Sequence, residues 1–194
     1  MYQRRYLFSD FDSIEDVEMY KPGGFHPVSI GDVFSNGRYK VLHKLGYGGS
    51  STVWLARDQR PRSSASDTLV ALRVISADES SKPKDEIADL VVPSKLDALA
   101  SASNNPARHS VLPIMEHFME EGPNGTHLCT VSRFLGPSVA AMSRTTIRLT
   151  GSKRLRGDLA RKVAKQTAMA VEFMHSKGFV HGGSSPIHIH VKMF

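Results

Sequence analysis

Residues 38–75 read RYKVLHKLGYGGSSTVWLARDQRPRSSASDTLVALRVI, and this stretch decides the fold. It holds three apolar-rich runs: Tyr39 to Leu45, Thr52 to Ala56 and Leu69 to Ile75. Valine, leucine and aromatic side chains suit a pleated, half-buried surface, so the runs predict three strands. Between the first two lies Gly46-Tyr47-Gly48-Gly49-Ser50-Ser51. Such a segment cannot pack a core. It leaves the backbone free to turn tightly over a ligand, and exposed N–H groups in a turn of this kind can cradle phosphate oxygens. The plainer reading of a single glycine-rich turn is a hairpin connection.

The residues around the turn add to this. Leu45-Gly46-x-Gly48-x-x-Ser51-x-Val53, followed across a loop by Val70-Ala71-Leu72-Arg73, resembles the glycine-rich loop and third strand of protein kinases. Ser51 stands at the third glycine, and Arg73 at the lysine. Upstream, Tyr20-x-Pro22-Gly23-Gly24-Phe25-His26-Pro27-Val28-x-Ile30-Gly31-Asp32 resembles the lead-in of SR-protein kinases, and Ser51-Thr52-Val53-Trp54-Leu55 continues that likeness. Gly122-Pro123-Asn124-Gly125-Thr126-His127 and Leu135-Gly136-Pro137-Ser138-Val139 resemble the fungal branch of the family. The likeness runs from about Met19 to Ile189.

What the resemblance implies is an α+β fold. A kinase-like small lobe, a five-stranded antiparallel sheet plus one helix, would be followed by the incomplete start of a helical large lobe. Residues 1–37 would form an arm and lead-in, 38–135 the small lobe, and 136–194 the hinge exit and partial large lobe. A nucleotide would meet Leu45, Gly46, Tyr47, Gly48, Gly49, Ser50, Ser51, Thr52 and Val53 in the turn and its flanks. Ala71 and Arg73 would meet it on the third strand, and Arg133 and Leu135 at the hinge. Arg133 stands where the family commonly has an acid.

Composition sets outer limits. The chain has 194 residues, 40% apolar and 23% charged, enough for one sizeable domain. A formal charge of +6 favours anionic partners modestly. Cys129 is the single cysteine, so no internal disulfide forms, and its apolar surroundings predict an inert thiol. No run is long and apolar enough for a membrane span, and the first residues lack a signal-peptide core. A cytoplasmic or nuclear protein is expected.

Residues 1–19 mix aromatics and acids and read as an irregular arm. Gln59 to Asp67 is basic and Ser-rich, a solvated loop. A helix is expected within 83–101, with an acidic start at Asp85 and Glu86, a break at Pro93 and a restart over 94–100. The glutamate that the resemblance requires on this helix falls either near Lys95 or at Glu86. Val111 to Phe118 and His127 to Val131 read as the fourth and fifth strands, with a turn at Gly122-Pro123-Asn124-Gly125. Leu159, Val163, Ala164, Ala168, Val171 and Met174 recur at helical spacing, so a helix capped by Asp158 should run to about Ser176. Arg144, Arg148, Lys153, Arg154, Arg156, Arg161, Lys162 and Lys165 surround its start. A solvated basic face is the plainer reading, and an anion or RNA contact the sharper one.

The stretch Phe179-Val180-His181-Gly182-Gly183-Ser184-Ser185-Pro186-Ile187-His188 occupies the place of the catalytic loop. By the resemblance, the catalytic aspartate is replaced by Gly183, the loop lysine by Ser185 and the metal-binding asparagine by His188. No Asp-Phe-Gly triplet and no acid occurs between His181 and Phe194. His188 and His190 could share one face of an extended segment, but no local carboxylate or thiol completes a metal site. The expectation is a truncated, degenerate kinase relative, a pseudokinase fragment with weak ATP affinity and no Mg²⁺ site. Two alternatives stand beside it. One is an active or wrongly cut serine/threonine kinase. The other is a non-catalytic basic module for acidic protein or RNA, with a partner protein covering the large-lobe helix.

Overall fold

In the computed structural model, residues 15–60, 68–102, 112–136, 138–143 and 154–180 are described. The chain divides into two compact units, Met1–Pro83 with Glu116–Val131, and Lys84–Met115 with Ser132–Phe194.

The first unit is built on an antiparallel hairpin series. Strand β2 (Tyr39–Tyr47) pairs with β3 (Ser51–Asp58), which pairs with β4 (Leu69–Ile75). These are the three expected strands: β4 has the expected bounds, β2 runs two residues further and β3 is longer at both ends. Val41, Trp54, Ala56, Val70, Leu72 and Val74 alternate onto one face and form the core with Tyr39, Cys129 and Val131. Strands β5 (Ile114–Gly122) and β6 (Gly125–Arg133) complete the series around a turn at Pro123-Asn124.

The sheet has six strands, in the order β1-β2-β3-β4-β6-β5, where five were expected. The extra strand β1 (Val33–Phe34) is two residues long. Its pairing needs the partner β2 and a turn in which Ser35, Asn36 and Gly37 all take positive φ, so no periodicity betrays it.

Arg38, between β1 and β2, ties strands that are far apart in the sheet order. Its guanidinium grips Asp58 of β3 with two bonds, of 3.1 and 3.0 Å, and also donates to Glu116 of β5. The same cation lies 4.5 Å from the centre of the Tyr39 ring, which stacks on Phe118 of β5 and donates to Glu116. The ends of the curled sheet are thereby stitched together.

A short helix, α1 (Ala77–Ser80), follows β4 and had no sequence signal. Ser80 Oγ donates to the Ser76 carbonyl and accepts from Leu128 N–H, which fastens α1 to β6.

In the second unit, helix α2 spans Ala88–Ser101. This corrects two expectations. The helix begins after Asp85 and Glu86, and Pro93 lies inside it without ending it. A proline there cannot donate to the carbonyl of Asp89, and the hydroxyl of Ser94 donates to Leu90 O at 2.7 Å in the same turn. Helix α3 spans Gly157–Ser176. Its N-cap is Arg156 rather than Asp158, which sits inside the first turn and pairs with Arg156. The Leu159 N–H, and then Arg156, hold the Asp158 carboxyl below its ordinary range. Phe173 of α3 packs with Leu96 and Ala100 of α2, flanked by Met169, Met174 and Phe179.

Candidate functional site

The glycine-rich turn is a three-residue connection between Tyr47 and Ser51, closed by a 2.7 Å bond from Gly48 N–H to the Ser51 carbonyl. A second bond, Ser76 N–H to the Ser50 carbonyl at 2.8 Å, anchors it to the end of β4. Gly46, Gly48 and Gly49 are not in the left-handed region. A Cβ added at Gly46 or Gly49 would meet open space. What the glycines supply here is room beside the backbone, which is what a phosphate chain would need to approach it.

Register assembles the expected strand residues. Gly46 lies opposite Val53, and Val53 opposite Arg73. Leu55 lies opposite Ala71, so Val53, Ala71 and Arg73 share the face away from the core. Two β-bulges, at Leu42 and Leu45, shift β2 by one residue each. The second leaves Leu45 exposed beside the turn, and Tyr47 is exposed as well.

Not every expected residue faces that way. Thr52 is fully buried, and its Oγ1 accepts the indole N–H of Trp54 at 3.0 Å. Ser51 is also buried, and the Arg73 guanidinium donates to its Oγ at 3.4 Å. Sequence reasoning missed this contact, because it depends on a diagonal across the β3–β4 register.

Arg133 ends β6 and is exposed; Leu135 follows it, half-buried. Of the two candidates for the helix position, Lys95 lies on α2, and Glu86 lies outside it. Gly183, Ser185 and His188, with His181 and His190, lie outside the described residues.

Arg73 brings a positive charge to the face that carries Val53 and Ala71. Among the described residues, no group of three or more His, Cys, Asp or Glu could hold a metal ion. Cys129 is buried, and burial pushes its thiol well above its ordinary value, so it is chemically inert.

On α3, a different surface stands out. Val139, Leu155, Val163, Ala164, Ala168 and Val171 line an open groove of about 1010 Å³. Arg154, Arg156, Arg161, Lys162 and Lys165 are exposed at its start and along the helix, whereas Arg144, Arg148 and Lys153 lie outside the described residues. No described helix is long and apolar enough to cross a membrane.

Comparison with known proteins places this geometry. No protein-family model matches the chain. Serine/threonine-protein kinase spk-1 of Caenorhabditis elegans is 34% identical over 190 residues, covering 96% of this chain and 17% of that protein. SRSF protein kinase 3 of Homo sapiens is 34% identical over 174 residues, covering 88% of this chain and 28% of that protein. Serine/threonine-protein kinase SRPK of Physarum polycephalum is 31% identical over 168 residues, covering 86% of this chain and 36% of that protein. The chain thus spans well under half the length of these relatives. A solved kinase domain superposes with a TM-score of 0.63 at 15% identity, over 87% of this chain and 44% of that one.

Proposed function

We propose a binding role without group transfer for a chain that is a homologue of the SR-protein kinases with a kinase small-lobe fold. It holds a nucleotide weakly under the Gly46–Ser51 turn and does not move the terminal phosphate. The observation that carries this reading is the placement of Arg73 opposite Val53, one strand from the turn, with Ala71 on the same face. A guanidinium there supplies positive charge to a phosphate chain. Its fork is planar and wider than an ammonium, so it does not reproduce a lysine's point contact.

Phosphoryl transfer relies on several groups acting as a unit. Gly183, Ser185 and His188 stand where the resemblance places an aspartate, a lysine and an asparagine. Losing one electrostatic group costs about 10²–10³ in rate, so several losses leave no useful activity.

The test is a thermal-shift titration with ATP and ADP, with Mg²⁺ and with chelator. A ligand at ten times its Kd should stabilise by about 1.4 kcal/mol whether or not metal is present. Stabilisation that needs Mg²⁺, with phosphate incorporated into a protein substrate, would instead support an active kinase. No shift at millimolar nucleotide would remove the nucleotide reading.

One observation favours a second reading. The apolar groove on α3 beside exposed Arg161 and Lys165 suits a protein partner with acidic character, and RNA less well. Binding of that kind would weaken steeply with salt. A cytoplasmic or nuclear site of action accords with either reading.

A further inference from the structure

Two histidines outside the nucleotide face form an unusual pair. His127 of β6 is 0% exposed. Its Nδ1 lies 2.9 Å from the Ile75 carbonyl of β4. Only an N–H can meet a carbonyl oxygen, so Nδ1 carries a ring proton and donates it to Ile75. Its Nε2 is buried without a hydrogen-bond partner. The His26 ring stands edge-on to it, with centroids 4.8 Å apart, and edge-on to Phe34 at 5.5 Å. His26 Nδ1 is likewise buried and unpartnered. It lies so close to Gly122 that a Cβ there would overlap it.

We propose that His26 and His127 form a proton-operated latch. The packed rings fasten the lead-in, residues 20–28, to the sheet, and uptake of a proton by His26 releases it. The lead-in carries real structural weight. Gly23 N–H donates to the Asn124 carbonyl at 2.8 Å, and Asn124 Nδ2 donates to the Phe25 carbonyl at 2.7 Å. The carbonyls of Gly24 and Gly23 accept from Ala77 and Asp78 N–H at 3.0 and 2.7 Å, satisfying the first donors of α1. Released, the segment would leave those donors to water.

Charge around the pair works in both directions. Asp32, just before β1, and Glu120, on β5, face His26 and favour its cation. Each already accepts a backbone N–H, Asp32 from Ser29 at 2.7 Å and Glu120 from Ser35 at 3.0 Å. Helix α1 adds Asp78, which lies against Gly23, and Glu79, which pairs with Lys82. Strand β4 offers only the Ile75 carbonyl, and β6 adds the inert Cys129 thiol. Burial first, and the second imidazole next, outweigh the two carboxylates and hold His26 below its ordinary value. The sign follows. A histidine depressed in the docked state binds its proton more readily when released. The latch is therefore at full strength above about pH 6.5 and weakens as pH falls, by up to about tenfold per pH unit for the proton that His26 takes up.

Amide exchange on the full chain tests this, measured at pH 7.5 and 5.5 and corrected for intrinsic rates. The expected result is about a tenfold rise at Gly23, Ala77 and Asp78, with Val41 and Leu72 in the sheet unchanged, and no rise in His26→Phe. An absent rise, an equal rise across the sheet, or a rise that persists in His26→Phe overturns the latch. Should His26→Phe fail to fold, imidazole titration of the wild-type chain by NMR decides. A midpoint for His26 below 6.5 supports the latch, and a midpoint at 6.5 or above ends it.

Discussion

Arg73 keeps the charge that a phosphate site needs and changes its shape. Its guanidinium is drawn toward Ser51 Oγ, on the strand that follows the glycine-rich turn. A charge-assisted bond to a phosphate is worth about 1.5–3 kcal/mol, so Arg73→Ala should weaken nucleotide binding about 10- to 100-fold, read by titration calorimetry. An unchanged affinity would mean that Arg73 does not touch the ligand. Restoring chemistry is a different matter. The double variant Arg73→Lys, Gly183→Asp should incorporate no phosphate into a protein substrate, because no described group of acids can hold Mg²⁺. Glu15 gives a residue-scale prediction on stability. Burial would raise its carboxyl, but hydrogen bonds from Lys44 and Tyr20 prevail and hold it below the ordinary range. A depressed acid stabilises the fold above its unfolded value, near pH 4.3, and that contribution is lost as pH falls through the folded value. Urea midpoints measured from pH 6 to pH 3 should therefore fall in the wild type, and less so in Glu15→Gln.

At the scale of elements, the strands were legible and their margins were not. Alternating apolar side chains put β2, β3 and β4 in place, because one face of each must enter the core. The Pro123-Asn124 turn was legible from its residue types. Strand β1 escaped because two residues carry no period. The run of α2 through Pro93 escaped because the cost of a helical proline is set against tertiary packing that no local pattern displays. Within the candidate site, the shared face of Val53, Ala71 and Arg73 could be anticipated from the motif. Thr52 points inward by the same alternation as Trp54 and Ala56, but the bond its hydroxyl accepts from the Trp54 indole could not be read from the motif. Nor did spacing announce Arg38, though it pairs with acids on two strands, Asp58 and Glu116. Its side chain is 9% exposed and that of Asp58 0%. Removing the cation from this buried, bidentate pair takes the fork from the Asp58 carboxylate, at about 3–5 kcal/mol. Arg38→Ala should lower the urea midpoint accordingly. Arg38→Lys should recover only part of it, because an ammonium cannot serve Asp58 with a fork while also reaching Glu116. A variant within 0.5 kcal/mol of wild type, about the scatter of surface substitutions, would show that the stitch is dispensable.

The whole molecule divides its stability unevenly. In the first unit ten buried residues form one cluster across the sheet. In the second, the buried cluster that includes α3 consists of Leu96, Ala100 and Phe173, with three half-buried neighbours. Much of the remaining apolar surface of α3, including Val163, Ala168 and Val171, lines the open groove. Helix stability in proteins comes chiefly from packing of an apolar face against the rest of the fold. Helix α3 should therefore exchange its amides far faster than β2 to β4, and the two regions should not share one unfolding free energy. Phe173 is 1% exposed and is the centre of the small cluster. Phe173→Ala removes about 3–5 kcal/mol of packing, which is more than such a cluster can lose. The expected outcome is loss of protection across Gly157–Ser176 with protection at Val41, Leu72 and Val74 retained. Equal loss in both regions would show that the chain unfolds as one cooperative body. Strong protection of α3 in the monomeric wild type would show that the groove contributes nothing to its instability.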